Sequence, residues 1–498
     1  VTPMAAQVDP SQLRWSIDAR LLSAGSKVPI QGRTVENASV EVLVNARRLA
    51  ARGRATIDGL TVDINYSELF AGERSGAARF VLTDKDRRER GFDTGSMVRG
   101  PVVVTIEAGE DGTQAFTADL SEAAVSVPGF NKPSGRELLA EGTVRGDPAA
   151  MTVENVRLEG GGVNIRGDVE IAGGALRRAE LSNFALSRGD KAEVSVAPLR
   201  GGGYAISANA QSFDARKLLK GLTGDGGMAK TGAITVDATA DRVRVRDDSY
   251  LTDLVLTATR EGERLSRLAL SGRLDGVNAG SFAARVAPNG SGVRTVQADI
   301  TDLGRVLSAF NVYNRMRGGR ATMEATLDTS GALEGRVLVT NFRLANEETL
   351  SGIIDQAAKE RESQGRTGNP RPLAFQPTDV PQDDIVFDRL MIDFIKVGNV
   401  ITVREAILRG PVIGGTADGV IDLAENRVLL NGTFIPAFGV NNLFGRVPVF
   451  GEILGGGRKG GLIGVTFRLS GELASPRLTV NPISAIAPGI FRRVFEFR

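Results

Sequence analysis

Polar and apolar residues alternate along most of this chain. The stretch "ASVEVLVNA" sets Val40, Val42 and Val44 on one side and Glu41 and Asn45 on the other; "GLTVDINY" does the same with Leu60, Val62 and Ile64. The period recurs in "VNIRGDVEIA" (Val163, Ile165, Val169, Ile171), "GAITVDATADRVRVR" (Ile234, Val236) and "SFAARVA" (Phe282, Val286). It returns in "GRVLVTNFRL" (Val337, Val339) and in the segment holding Ile463, Val465 and Phe467. Successive side chains of a strand point to opposite faces, so the pattern predicts strands with one buried face. "GGG" at 160–162 and 201–203, "AGG" at 172–174 and "APNGSG" at 287–292 read as turns between them. Such tight connections predict a mostly antiparallel meander.

Four stretches change period. "SFDARKLLKGL" (212–222) offers Ser212 and Asp214 as helix N-caps. "TDLGRVLSAFNVYNRM" (301–316) places Leu303, Val306, Leu307 and Phe310 on one helical face behind Thr301 or Asp302. "NEETLSGIIDQAAKERES" (346–363) is a third helix and leads into "QGRTGNPRPLAFQPTDVPQDD" (364–384), a Pro-rich linker. A shorter helix is expected in "VNNLFGRV" (440–447). These few short amphipathic helices are expected to cover an end or an open side of the sheet, or to touch a ligand as end caps. The mixed-charge run "DKDRRERG" (84–91) reads as a solvated loop.

Composition narrows the chemistry. The chain has 498 residues, 42% of them hydrophobic, so it can bury a core and is not globally disordered. Lys plus Arg (61) almost balance Asp plus Glu (59), which argues against a nucleic-acid binder with a strong positive field. With no histidine and no cysteine there is no Ser–His triad, no imidazole or thiolate metal site and no disulfide. "GGGRKGG" (455–461) lacks Walker A spacing, since Leu462 follows it, and reads as a flexible hairpin; "GDGG" (224–227) is a turn. Asp383 and Asp384 are adjacent acids in the linker and make a weak metal site. No constellation supports catalysis, so neither an enzyme nor a cofactor is expected. No apolar run is long enough to span a bilayer as a helix. The start "VTPMAAQVDP" has no signal-peptide character, and its Val favours the downstream part of a longer exported chain.

Alternation leaves two readings open. In a closed sandwich the apolar stripes of two sheets pack together; in an open curved sheet they line a groove. An Asp at Val286 or Val339 separates them, because a sandwich would bury the charge and a groove would hydrate it. The closing segment "VNPISAIAPGIFRRVFEFR" (480–498) is different in kind. Asn481 and Pro482 suit a helix start, and Phe491, Val494 and Phe495 fall at i, i+3 and i+4 with Arg492 and Arg493 off that face. It is expected either to fold back on the sheet or to dock on a membrane surface.

The C-terminal residues resemble a known family. "LRGP" (Leu408–Pro411), "G-x-x-D" (Gly419–Asp422), "F-x-P" (Phe434–Pro436), "P-x-x-G" (Pro448–Gly451), "F-x-L-S-G" (Phe467–Gly471) and the closing "NPISAIAPG" occur in the order seen in AsmA-like proteins. The likeness is to the large YhdP-type members, with TamB a more distant relative. It covers about residues 385–498 and extends upstream to about 295 through "DLGRVLSAFNVYNRMRGG".

That resemblance implies an elongated, mostly antiparallel curved sheet forming a hydrophobic β-groove. It implies a bridge-like carrier of glycerophospholipids between the inner and outer membranes of a Gram-negative envelope. It further implies a periplasmic location, anchored to the inner membrane by a segment not in this chain, and possible envelope protein partners. On this reading residues 1–298 are repetitive groove, 299–384 a helix-containing β segment with the linker, and 385–498 the AsmA-like C-terminal domain. The stripe residues named above would then contact phospholipid acyl chains, and Phe491–Phe495 the membrane. An assembly scaffold for the outer membrane, its interior closed by side chains, is the alternative. About 30 to 35 strands at about 4.8 Å spacing would reach about 150 Å.

Overall fold

The computed structural model describes residues 15–481, apart from segments 223–231, 346–383 and 437–464 and short loop stretches of one to three residues, among them 92–93, 110–112, 148–149, 277–279 and 474–475. The described residues form 29 strands and three short helices, so the fold is mainly β. The chain divides into two compact units, Val1–Val245 and Arg246–Arg498.

In the first unit an antiparallel meander runs from Ser16–Ala24 to Gly203–Asp214. Three short strands, Val98–Arg99, Ala124–Val127 and Phe130–Lys132, leave the meander and form a sheet of their own. One pairing breaks the antiparallel rule. Gly203–Asp214 and Ala233–Arg246 run parallel, with Ile206 opposite Val236, because residues 215–232 carry the chain back to the end from which it came. The second unit is a meander of twelve antiparallel strands, from Ser249–Glu261 to Arg477–Asn481. It passes without interruption of pairing from Leu333–Ala345 to Asp384–Val397, across the linker.

The two rims of each sheet differ. In the second unit one rim holds only short turns, at 262–263, 289–293, 328–332, 398–399, 423–426 and 473–476. The strand ends on either side of 275–280, 301–315, 346–383, 410–412 and 437–464 all lie at the other rim. The first unit repeats the division: two to five residues separate the strand ends at 46–47, 70–73, 109–113, 148–149, 173–174 and 199–202, with the longer connections 25–34, 83–101, 120–138 and 186–190 opposite.

Helices sit at the elaborated rim. Helix α1 (Asp84–Glu89) occupies the run expected to be a loop. Thr83 and Asp86 close a capping box there, and the buried Arg87 guanidinium donates to the carbonyls of Leu82, Val98 and Gly100. Helix α2 (Arg216–Leu222) starts where Asp214 accepts from the Arg216 N–H. Helix α3 (Leu303–Ala309) is capped by Asp302 and is shorter than its periodicity suggested; Leu303 and Leu307 face the sheet, while Phe310 closes it from an exposed position. The helices expected at 346–363 and 440–447, the glycine-rich runs at 224–227 and 455–461, and the tail from Pro482 onward lie outside the described residues.

Bulges interrupt the ladders at recurrent places. Asn37, Asn155 and Asp253 adopt left-handed φ at register shifts, where short polar side chains tolerate that conformation. At Asn155 the freed N–H is taken by Asp168 Oδ1 at 2.8 Å. Gly419 serves another bulge, with φ +145 and the Leu429 carbonyl 2.2 Å from where a Cβ would stand. Between bulges one face is knitted by cross-strand ion pairs: Arg54–Asp63, Arg166–Glu159, Arg320–Asp299, Arg336–Asp393 and Arg404–Glu334. That face is exposed, so each pair contributes little on its own.

Candidate functional site

The other face is apolar from strand to strand. In the second unit, register partners trace a row through Leu256, Leu270, Ala284, Ala298, Met323, Val337, Ile392, Ala406, Ala417, Gly432 and Phe467. A second row, two residues along each strand, runs Ala258, Leu268, Val286, Val296, Ala325, Gly335, Phe394, Val403, Gly419, Leu430, Leu469 and Leu478. Neither contains a polar side chain. The intervening row on the opposite face reads Thr257, Ala269, Arg285, Gln297, Glu324, Arg336, Asp393, Glu405.

The first unit repeats this. One row runs Leu21, Val40, Gly53, Ile64, Ala78, Ile106, Phe116, Gly142, and another Ala55, Val62, Phe80, Val104, Ala118, Ala140, Leu158, Ile165, Phe184. A third continues through Val144, Val153, Val169, Ala179, Val196, Ile206 and Val236. Every stripe residue named from the sequence between Val40 and Val339 therefore falls on the apolar face of its own unit. Phe467 does too; Val465 takes its place opposite Phe434 in the ladder, and Ile463 and Phe491–Phe495 lie outside the described residues.

Burial divides this face in two. Toward the elaborated rim it is closed. Met316, Ala321, Val339, Phe342, Ile385 and Phe387 form a sealed cluster in the second unit, with the Phe342 and Phe387 rings stacked at 5.1 Å and α3 laid over it. Val125, Phe130, Leu138, Val163 and Leu186 do the same in the first, where Leu218 of α2 covers Gly129. Across the middle of the face and toward the short-turn rim most of the lining is only half-buried, including Val42, Val44, Ile64, Val169, Ile171, Ile234, Val236, Leu270 and Met323, although Val286, Ala325, Phe394 and Val403, on the short-turn side of Leu270 and Met323, are buried. Val339 (2% exposed) and Val286 (7%) are core positions, so an Asp at either tests the core and not an open lining.

In the second unit the apolar face is concave. Phe467 and Leu478 pack against the Phe342–Phe387 cluster. The strand of Phe467 lies four strands beyond that of Phe387, about 19 Å along a flat sheet, farther than two side chains reach. Bending at the bulges closes that distance.

Polar side chains also reach the apolar face: Gln114 in the first unit, Arg294 and Lys396 at the short-turn rim of the second, and one cluster that the stripe pattern passes over. The alternation of "LTVDINYSE" does not stop at Ile64 but carries Tyr66 and Glu68 onto the same face, opposite Gly76 and Arg74. Tyr66 Oη donates to Glu68 Oε2 at 2.8 Å, and Arg74 Nε donates to Oε1 at 2.7 Å. The tyrosine hydroxyl, and then the Arg74 charge, hold the Glu68 carboxyl below the usual carboxylate range; the same bond pushes the Tyr66 phenol up. Buried ionisable groups elsewhere serve the fold. Lys132 (1% exposed) donates to three carbonyls, of Ser121, Pro133 and Arg136, and Asp190 accepts the N–H groups of Leu186, Ser187 and Asp214. Among the described residues no group of acids is arranged to hold a metal ion, and no helix is long and apolar enough to cross a membrane. No protein-family model matches the chain, and no curated protein sequence matches it.

Proposed function

We propose that the apolar face lines a groove that conducts glycerophospholipids between the inner and outer membranes of a Gram-negative envelope, without chemistry. The observation that carries this reading is the continuity of the rows: in the second unit no polar side chain interrupts them, and much of their surface is left half-buried. Uncovered apolar surface of that extent is costly in water unless a ligand fills it. Each acyl CH2 laid on it gains about 0.8 kcal/mol, and a chain sliding from strand to strand meets the same surface at every step. Headgroups stay at the water boundary. The likeness of the C-terminal motifs to AsmA-like proteins supports the same cargo, a periplasmic setting and a membrane contact through Phe491–Phe495.

The sealed clusters beneath α2 and α3 favour a second reading, a scaffold for outer-membrane assembly whose interior is filled by its own side chains. Native mass spectrometry and lipid extraction of gently purified protein separate the two. Phospholipid in at least stoichiometric amount is expected. Folded protein free of lipid sinks the conducting groove and leaves the scaffold.

A further inference from the structure

The Tyr66–Glu68–Arg74 cluster differs in placement from the other cross-strand ion pairs described above. Those pairs lie on the polar face, whereas Glu68 and Arg74 continue the apolar stripe of Val62 and Ile64 toward the short-turn rim. Both carboxylate oxygens of Glu68 are engaged, one by Tyr66 and one by Arg74 Nε. The Tyr66 ring lies on Gly76, where a Cβ would stand 2.8 Å from its Cδ2, so the phenol that orients Glu68 is itself held in place. Arg74 is thereby fixed through Nε. Among the described residues its two terminal nitrogens have no partner, and its side chain is 70% exposed. A guanidinium anchored in this way presents its remaining fork to a planar or tetrahedral oxyanion.

We infer that Arg74, positioned by Glu68 and Tyr66, binds the anionic group of an amphiphile whose tail lies on the neighbouring Ile64–Ala78–Ile106 and Val62–Phe80–Val104 rows. This rests on the groove reading and adds a polar anchor to it. The ligand class is a phosphate- or carboxylate-bearing lipid. Tail and charge are recognised by one continuous face: the anion lies at the rim of short turns, and the tail runs inward along the strand for about 13 Å to the Ile64 row and about 20 Å to the Val62 row, the rise of four and six residues.

The test compares 1-palmitoyl lysophosphatidate with monopalmitoylglycerol, which share a tail and differ in the phosphate. Arg74→Ala should weaken lysophosphatidate binding about tenfold, equivalent to about 1.4 kcal/mol, and leave the neutral lipid unchanged. Arg54→Ala is the control: it removes the same charge from the polar face two strands away, where Arg54 pairs with Asp63 at 2.6 Å, and should change neither. Tyr66→Phe, which keeps the ring and frees Glu68, should give a smaller loss confined to the anionic lipid. Inorganic phosphate should not displace the lysophosphatidate; displacement would make this a free-anion site and overturn the amphiphile assignment. Equal binding of both lipids by Arg74→Ala and parent refutes the anchor and leaves the groove standing. A parent that binds neither lipid removes the groove, and the anchor with it.

Discussion

A charge placed at two depths of the apolar face gives opposite outcomes if the face is part core and part open lining. Val339→Asp puts a carboxyl among Met316, Phe342, Ile385 and Phe387. Full burial raises a carboxyl pKa by up to about 3–5 units, so the group stays protonated at neutral pH; crossing the roughly three units from its ordinary value at about 1.36 kcal/mol each costs about 4 kcal/mol, and losing the buried valine side chain adds about 1.5–3 kcal/mol. Stability of a domain is about 5–15 kcal/mol, so this variant should be unfolded or close to it at room temperature. Leu270→Asp puts the same group in a half-buried row. There the carboxylate keeps its water, and the loss is about half of a leucine's burial, about 1 kcal/mol. In a unit of this size that lowers Tm by about 2–4 °C. Ligand binding should suffer far more. About four methylenes face one strand spacing of about 4.8 Å, and losing them at about 0.8 kcal/mol each removes about 3 kcal/mol, a hundredfold in affinity. Differential scanning calorimetry and a fluorescent-lipid transfer assay read the two effects separately. If Leu270→Asp unfolds as Val339→Asp does, the whole face is closed core and the groove is wrong.

Two further substitutions test features of the framework. Gly419→Ala forces a Cβ against the Leu429 carbonyl at φ +145 and should cost at least about 2–3 kcal/mol, whereas Gly398→Ala, at φ +56 with nothing within 4 Å, should cost about 1–2 kcal/mol; equal melting temperatures would show that close approach at the bulge does not shape the strand. Burial pushes the Asp190 carboxyl up against three backbone donors that pull it down. Because the folded value is raised, the associated stability is present below the ordinary carboxylate range and is lost as pH rises through the raised value. Asp190→Asn cannot ionise, so the advantage of the parent in thermal melts should shrink as pH rises through that window; a widening gap would mean that the donors outweigh burial.

Alternation in the sequence was enough to place the stripe residues on one face, because a strand's side-chain period is two and each turn keeps the next strand in step. What it did not reveal follows from interactions between strands. Asn37, Asn155 and Asp253 look like ordinary polar positions until a neighbouring ladder makes them bulges. The parallel return to Ala233–Arg246 depends on a connection whose direction no local pattern encodes. Helix α1 did carry a signal, since Thr83 and Asp86 are spaced as a capping box, but the charges around it masked that spacing. The depth of Val339 relative to Leu270 depends on α3 folding over one rim. Tyr66 and Glu68 were legible in principle: they continue the stripe of Leu60, Val62 and Ile64, and a search for apolar residues alone skips them.

Pairing of nearly every strand with its immediate successor also has a kinetic consequence. Contacts of low sequence separation close small loops, so within each unit strands can add one at a time to a growing edge as the polypeptide emerges. Such an assembly does not wait for its far end. Its stability is approximately a sum of nearest-neighbour terms, and damage at one hairpin frays the sheet outward from that point without collapsing the remainder. The parallel return near residue 233 is the exception, because its partner strand must wait for the chain to travel back across the sheet. Hydrogen exchange pulsed during refolding should therefore show protection spreading strand by strand on either side of that junction and arriving late at the junction itself.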